Sequence, residues 1–343
     1  MLDIAIFSAV SLILSLISMP VIIKICQLKG VYDYHDERKI HSGNISRLGG
    51  IGIFLSFTIV SIVFSIYSKD FNLSYSIPLL LASFLIFTFG VIDDVYNIPA
   101  VLKLIVQIVA SIIVVLSGFR ITNLFGWILP LPLSIVFSIC WIVFVVNAYN
   151  LIDGLDGLCG NLAFITLISH GVLCFVTRSS QDSFCFILAA SVLGFLCFNW
   201  PPAKIFMGDG GSQSLGFLIA TLPLFEVNRT FENNKFLIML VLSSIPILDV
   251  VASIWRRLRE HRPVMSPDSA HLHHKLLNIG FSKNAALYTI TIMQLLIAIS
   301  VLASVLVIET SSVLLLLVTF IFVVSFFAIV HYSNRAVIKM QKK

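Results

Sequence analysis

The chain has 343 residues, of which 58% are hydrophobic and only 11% charged, with a mean hydropathy of +1.02. Soluble globular domains carry about 25% charged residues, so the composition excludes an ordinary soluble enzyme and predicts an all-α, polytopic integral membrane protein. The formal net charge of +5 does not point to nucleic acid, because the placement of the cations along the chain accounts for it.

Apolar runs long enough to cross a hydrocarbon core of about 30 Å recur from one end to the other. Eleven are read: 3–24, 49–67, 77–92, 100–117, 130–147, 158–176, 184–199, 213–226, 236–254, 285–307 and 312–332. The first lacks a basic leader and a small-residue cleavage site, so it reads as a transmembrane helix rather than a cleavable signal. The six cysteines show no CxxC pair and mostly fall in apolar runs, where they read as small buried hydrophobes. No repeat or second domain is visible, and the whole chain reads as one transmembrane domain.

Cytoplasmic loops carry an excess of Lys and Arg. With the loop after the first run placed in the cytoplasm, 17 of the cations fall on that side and 5 on the other. The expected topology is eleven transmembrane helices, N-terminus outside and C-terminus cytoplasmic. The loops 27–48, 93–100, 147–158, 200–212 and 255–284 then share the cytoplasmic face. They hold Asp93, Asp94, Asp153, Asp156, Asp209 and the histidines His271, His273 and His274, whereas the outer acids are scattered.

Three acidic motifs stand at the ends of runs. In GVIDDV (90–95) adjacent helical residues point about 100° apart, so Asp93 and Asp94 have different tasks. In NAYNLIDGLDGL (147–158) a helical turn would bring Asp153 and Asp156 to one side, with Asn147 and Asn150 a turn earlier. In FMGDGGSQSLGF (206–217) Asp209 lies among glycines before an apolar run, a start that suits a phosphate or a hard cation. Each alone could be a helix cap or a span end meeting water. Together, carboxylates and amides without cysteine select Mg²⁺, with Mn²⁺ as the alternative, over zinc. A phosphate substrate at the cytoplasmic membrane surface follows. The loop RRLREHRPVMSPDSAHLHHKL (256–276) adds four arginines and four histidines, either as topology determinants or as an anion clamp. HLHH lacks the i, i+4 spacing of a helical zinc pair.

In this order, GVIDD, NAYNLIDGLDG, KIFMGDGGS and HLHH resemble the polyprenyl-phosphate N-acetylhexosamine-1-phosphate transferases, over roughly residues 30–280. RKIHSGNISRLGGIGIF (38–54) is similar to the segment entering their second span, and Arg47 within it is placed with the substrate-binding residues. The resemblance implies attack of a polyprenyl phosphate on the β-phosphorus of a UDP-N-acetylhexosamine, with UMP leaving and Mg²⁺ required. It implies a multi-pass protein of the bacterial cytoplasmic (inner) membrane that begins lipid-linked synthesis of O-antigen lipopolysaccharide, common antigen, teichoic acid or cell wall. Undecaprenyl phosphate and the UDP-sugar are the expected partners, with membrane lipid around them, a homodimer left open and no nucleic acid.

By the same resemblance, Asp209 is a metal ligand, with Asn150 and Asp93 nearest the same ion. Asp94 matches the carboxylate often proposed as base on the lipid phosphate, and His271 stands with Asp93, Asp94 and Asp209 as catalytic. Phe206 would stack on uracil, Asp153 and Asp156 would belong to the nucleotide loop, and Lys103 would neutralise phosphate. Asn147, Arg262, His273 and His274 complete the substrate-binding set. A phosphate monoester has a second pKa of about 6, so the lipid phosphate needs little deprotonation, and Asp94 is expected to orient rather than to act as a base. HLHH, rather than three consecutive histidines, favours N-acetylglucosamine over a muropeptide. Ser269, where many relatives have arginine, keeps N-acetylfucosamine, N-acetylquinovosamine and N-acetylgalactosamine as runners-up. An ion-coupled transporter is the distant rival, yet transporters place ionisable groups near the midplane, and here only Asp249 lies inside a run.

Overall fold

The computed structural model of the chain describes residues 2–32, 45–68, 73–176, 182–225, 234–263 and 270–341. Expectations concerning Arg38, Lys39, His41 and Ser269 lie outside them. The helices are α1 (Leu2–Lys29), α2 (Gly49–Tyr67), α3 (Leu73–Tyr96), α4 (Ala100–Leu116), α5 (Leu131–Ile152), α6 (Leu158–Val176), α7 (Asp182–Asn199), α8 (Gly208–Thr221), α9 (Lys235–Leu242), α10 (Ser244–Arg259), α11 (Leu272–Ile279), α12 (Lys283–Ser304) and α13 (Glu309–Gln341). A two-residue hairpin, β1 (Asn123–Leu124) with β2 (Trp127–Ile128), joins α4 to α5. Gly126 at φ +90° makes its turn, and its N–H donates to Asn123 Oδ1 at 2.8 Å.

Every apolar run is helical over most of its length, and the fold is that of an all-α, multi-pass membrane protein. Among the described residues seven helices (α1, α2, α3, α5, α6, α12 and α13) are long and apolar enough to cross a membrane, and α9 with α10 would make an eighth. Helix length and composition thus account for seven or eight crossings among the described residues, and α4 and α7 are shorter apolar helices. The run 236–254 is not one straight span: α9 and α10 meet at a 73° bend around Ser243. Pro246, in the first turn of α10, has no N–H to continue the ladder of α9.

The lipid-facing surface is visible on α1. Ile6, Val10, Ile13, Ile17 and Val21 are exposed along one stripe, whereas Ser11, Ser15 and Met19 are buried on the other. Ser11 Oγ donates to Ile187 O at 3.0 Å and Ser15 Oγ to Ser191 O at 2.7 Å on α7. Small hydroxyl residues facing a neighbouring helix and apolar residues facing outward are the pattern of packing in lipid. The same inversion corrects the reading of the cysteines. Cys140 and Cys197 are exposed on outward faces, and the other four are buried.

The centre of the bundle is α8. All of its residues except Asp209 are buried, and it packs against α2, α3 and α5. Glycines make this approach possible. A Cβ on Gly90 would lie 2.5 Å from Gly210 Cα, and one on Gly216 would lie 2.9 Å from Val146 Cα. Small residues that let helix backbones come together are how membrane helices gain van der Waals contact. The glycines of FMGDGGSQSLGF therefore serve helix packing, and Asp209 is left as the one partly open residue of a buried helix.

Candidate active site

The last turn of α3, the start of α4, the end of α5 and the start of α8 meet at one end of the bundle. Asp94 on α3 accepts from the backbone N–H of Asp209 at 2.8 Å and of Gly210 at 3.0 Å. Arg47, just before α2, pairs with Asp94 through Nε at 3.2 Å and approaches Asp209 through Nη2 at 3.8 Å. Gly208 has φ +74°, and a Cβ there would lie 2.5 Å from Asp94 Oδ2. Only glycine admits both that conformation and that contact. The first amides of α8 are thus taken by an internal carboxylate, and the helix start is not the open phosphate cradle that its glycines suggest.

Asp93 does a different task, as expected for adjacent helical residues. Its Oδ1 accepts from Ile98 N at 2.6 Å, and its Oδ2 pairs with Lys103 Nζ. Lys103, on the first turn of α4, also reaches Asp209 Oδ2 at 3.1 Å. Asp209 is 19% exposed, against 4% for Asp93 and 1% for Asp94, so of the three it is the most open to solvent.

Behind Asp209 runs a relay of buried amides. Asn147 Nδ2 donates to Gln107 Oε1 at 2.7 Å, Gln107 Nε2 to Gln213 Oε1 at 3.1 Å, and Gln213 Nε2 to Asp209 Oδ2 at 3.4 Å. Asn147 therefore supports Asp209 from within. Gln107 and Gln213 were missed by the sequence reading, although an amide inside an apolar run is a signal of this kind. Asn150 Oδ1 accepts from Ser212 Oγ at 2.7 Å, one helical turn beyond Asp209.

A hard divalent cation is compatible with this donor chemistry. Asp93 and Asp209 converge on one positive charge, the Lys103 ammonium, with the amide oxygen of Asn150 nearby. Among the described residues no three His, Cys, Asp or Glu side chains form a metal-sized group. The set is therefore short of a full protein cage, and Mg²⁺ ordinarily completes such a set with phosphate oxygens and water.

The segment after α5 corrects an expectation. α5 ends at Ile152, Asp153 is its C-cap, and residues 153–157 form a loop, so Asp153 and Asp156 share no helical face. Gly157 at φ +74° breaks the turn. Asp156 is directed to the neighbouring loop, where Oδ2 accepts from Ala203 N at 3.1 Å. Asn199 clamps the same two loops, accepting from Gly157 N at 2.9 Å and donating to Ile205 O at 2.7 Å. Phe206 follows, its backbone paired with Ser46 at 2.7 Å and Gly49 at 2.8 Å. Asp153 faces the acids. Burial, then the charges of Asp209 and Asp94, push its carboxyl up to about 7, against the opposing pull of Arg47.

The histidines begin α11. His273 is buried over the 153–157 loop, and a Cβ on Gly154 would lie 2.6 Å from its Cε1. Among the described residues neither ring nitrogen of His273 has a hydrogen-bond partner. Burial, then the neighbouring His274, lowers its pKa to about 3, so the ring is neutral. The His274 ring lies 4.3 Å from that of His273, and the His271 ring is parallel to His273 at 6.0 Å. His271 Nδ1 lies 2.8 Å from Asp249 Oδ2. Arg262 is exposed and pairs with Glu260 at 3.2 Å.

Residues 76–226 match the family model described as glycosyl transferase family 4. That span holds every acid of the cluster and ends before Asp249 and the histidines. A probable undecaprenyl-phosphate N-acetylglucosaminyl 1-phosphate transferase of Bacillus subtilis is 32% identical over 311 residues, covering 88% of this chain and 84% of its own. A decaprenyl-phosphate N-acetylglucosaminephosphotransferase of Mycobacterium tuberculosis is 32% identical over 74% of this chain and 70% of its own. An undecaprenyl-phosphate alpha-N-acetylglucosaminyl 1-phosphate transferase of Escherichia coli is 28% identical over 80% of this chain and 77% of its own.

Proposed function

The chain belongs to glycosyl transferase family 4, and on that premise we propose that it transfers an N-acetylhexosamine 1-phosphate from a UDP-sugar to undecaprenyl phosphate, with release of UMP. N-acetylglucosamine 1-phosphate is the leading group, in keeping with the names of its relatives. The observation that carries this reading is the joining of Asp93, Asp94 and Asp209 with Lys103 and Arg47 at one end of the bundle. Acids that can hold a hard cation, beside cations that can hold phosphate, are what phosphoryl transfer needs, since it is mainly positioning and charge stabilisation.

In the reaction an oxygen of the lipid phosphate forms a new bond to the β-phosphorus of the donor. The bond from that phosphorus to the oxygen bridging the α-phosphorus breaks, and UMP leaves with the oxygen and its electron pair. Mg²⁺, or Mn²⁺ in its place, would be held by Asp209, Asp93 and Asn150 and would neutralise the diphosphate. Lys103 and Arg47, which now pair with those carboxylates, can turn to phosphate oxygens. Both Asp94 oxygens are engaged by the amides of α8 and by Arg47, which supports an orienting role rather than proton abstraction. The lipid phosphate, with a second pKa of about 6, is largely dianionic without help. Asp153, His271, His273 and His274 would border the donor, Phe206 would stack on its base, and Arg262, now exposed and paired with Glu260, would have to swing in to reach it.

The 17-to-5 division of cations supports a site on the cytoplasmic face of a bacterial inner membrane, with eleven crossings, the N-terminus outside and the C-terminus inside. There a lipid headgroup and a soluble nucleotide can meet. The test is mass spectrometry of the lipid product after incubation with undecaprenyl phosphate, Mg²⁺ and a panel of UDP-sugars (GlcNAc, GalNAc, FucNAc, QuiNAc and the muropeptide). Formation of undecaprenyl diphosphate carrying N-acetylglucosamine is the expected result. Another sugar on the same lipid replaces the sugar assignment, and no lipid product from any donor overturns the reading.

A further inference from the structure

Asp249 is the one acid inside an apolar run, and no step above uses it. It is 1% exposed on α10, where an unpaired carboxylate would be very unfavourable. Both of its oxygens serve the start of α11. Oδ1 accepts from Leu272 N at 2.8 Å, and Oδ2 meets His271 Nδ1 at 2.8 Å. His271 occupies the N-cap position of α11, yet its own side chain makes no capping bond. The cap is supplied from a different helix.

We propose that Asp249 is a positioning residue for His271, fixing the ring's tautomer and the register of α11 over the 153–157 loop; this rests on the transferase reading of the site. A carboxylate has no hydrogen to donate, so Nδ1 of His271 carries the proton and Nε2, across the ring, is the atom left for a ligand. A second partner that fixes the tautomer and orientation of a working histidine is a recurrent device. The register matters because His273, two residues on, is packed against Gly154 with no room for a Cβ. The start of α11 cannot turn without lifting His273 from the loop that carries Asp153.

A neutral cap would serve α11 alone. Asparagine at 249 could keep its oxygen on Leu272 N–H, but its amide group would then face His271 Nδ1. The hydrogen bond would reverse, and the ring proton would move to Nε2. The charge of Asp249 therefore has a role that a purely structural cap does not need.

The experiment combines ring-nitrogen NMR with a double-mutant cycle, on the full chain in detergent. Protein labelled with ¹⁵N-histidine, with His271→Ala for assignment, is expected to show the neutral His271 ring protonated on Nδ1 and to show it protonated on Nε2 in Asp249→Asn. Lipid-linked product formation is expected to fall about 10- to 100-fold in Asp249→Asn, the size typical of residues that orient a first-line ligand. The same change in the His271→Ala background should alter the rate by less than about 2-fold, as expected when two residues act as one unit. Asp249→Glu is expected to recover part of the loss. A neutral wild-type ring protonated on Nε2, an unchanged tautomer in Asp249→Asn, or equal losses in both backgrounds would overturn the proposal. If wild-type protein makes no product from any donor, the transferase reading fails while the NMR still decides the tautomer. If Asp249→Asn does not fold, the wild-type spectrum decides alone.

Discussion

Asp94, at the end of α3, caps the helix that carries Asp209, accepting from the Asp209 N–H at 2.8 Å and the Gly210 N–H at 3.0 Å. One carboxylate of the cluster thus holds another in place. Asp94→Asn keeps the shape but leaves one amide facing an NH₂ group and Arg47 without its charge. Hydrogen bonds to charged groups contribute about 1.5–3 kcal/mol, so thermal stability in detergent should fall by an amount of that order, together with activity. Because the role is orientation, the fractional activity of the variant should stay flat as pH rises through the phosphate pKa of about 6. A steep recovery over that range would make Asp94 a base.

The approach of α3 to α8 at Gly90 is equally direct. Alanine is favoured over glycine by about 1 kcal/mol in a helix interior, so Gly90→Ala should stabilise α3 taken alone. A Cβ there would instead meet Gly210 Cα at 2.5 Å, and backbone cannot step aside. Overpacking of this kind typically destabilises by about 1–3 kcal/mol. Melting curves should show a net loss, with activity falling further than melting temperature because Asp209 is displaced with the helix.

Lys103 lies between Asp93 and Asp209. Lys103→Met removes the positive charge that the two acids share, and their repulsion should destabilise the metal-free protein. Added Mg²⁺ should then raise the melting temperature more in the variant than in the wild type, by the linkage of binding to stability. Product formation should still fall by at least about 100-fold, an electrostatic loss of the size seen when one transition-state donor is removed. Equal Mg²⁺ shifts in both proteins would separate the cation site from Asp93 and Asp209.

Two groups of the site give opposite pH dependences in metal-free buffer. Asp153 is raised from 3.8 to about 7, so its protonated form favours the fold. That contribution is complete below pH 3.8 and is lost as pH rises through about 7. His273 is lowered from 6.5 to about 3 and is buried neutral. Its contribution is complete above pH 6.5 and is lost as pH falls toward 3. Asp153→Asn should flatten the loss of melting temperature between pH 5.5 and pH 7.5, and His273→Asn the loss below pH 6.5. Parallel curves for wild type and variants would remove these two groups as the cause.

The helical runs, the three acidic motifs and the histidine cluster were legible because hydropathy and adjacent Asp and Gly are local signals. What Asp94 and Asp156 do was not. Each accepts from an amide more than forty positions away, Gly210 and Ala203, and no local spacing encodes such a partner. The glycines after Asp209 read as a phosphate loop because a glycine needed for packing and one needed for a ligand look alike in sequence. Gln107 and Gln213 could have been found as amides stranded in apolar runs, but their pairing at 3.1 Å depends on how α4 meets α8. Asp249 stood out for its position inside a run, and only the fold brings His271, 22 residues later, to its carboxylate.

The most direct measurement is the initial rate of UMP release by purified protein with UDP-N-acetylglucosamine and Mg²⁺, with and without undecaprenyl phosphate, for wild type and Asp209→Asn. Release that requires the lipid and falls by at least about 100-fold in the variant is the predicted result. Release that is indifferent to the lipid, or that survives in Asp209→Asn at the wild-type rate, would contradict a transferase centred on these acids.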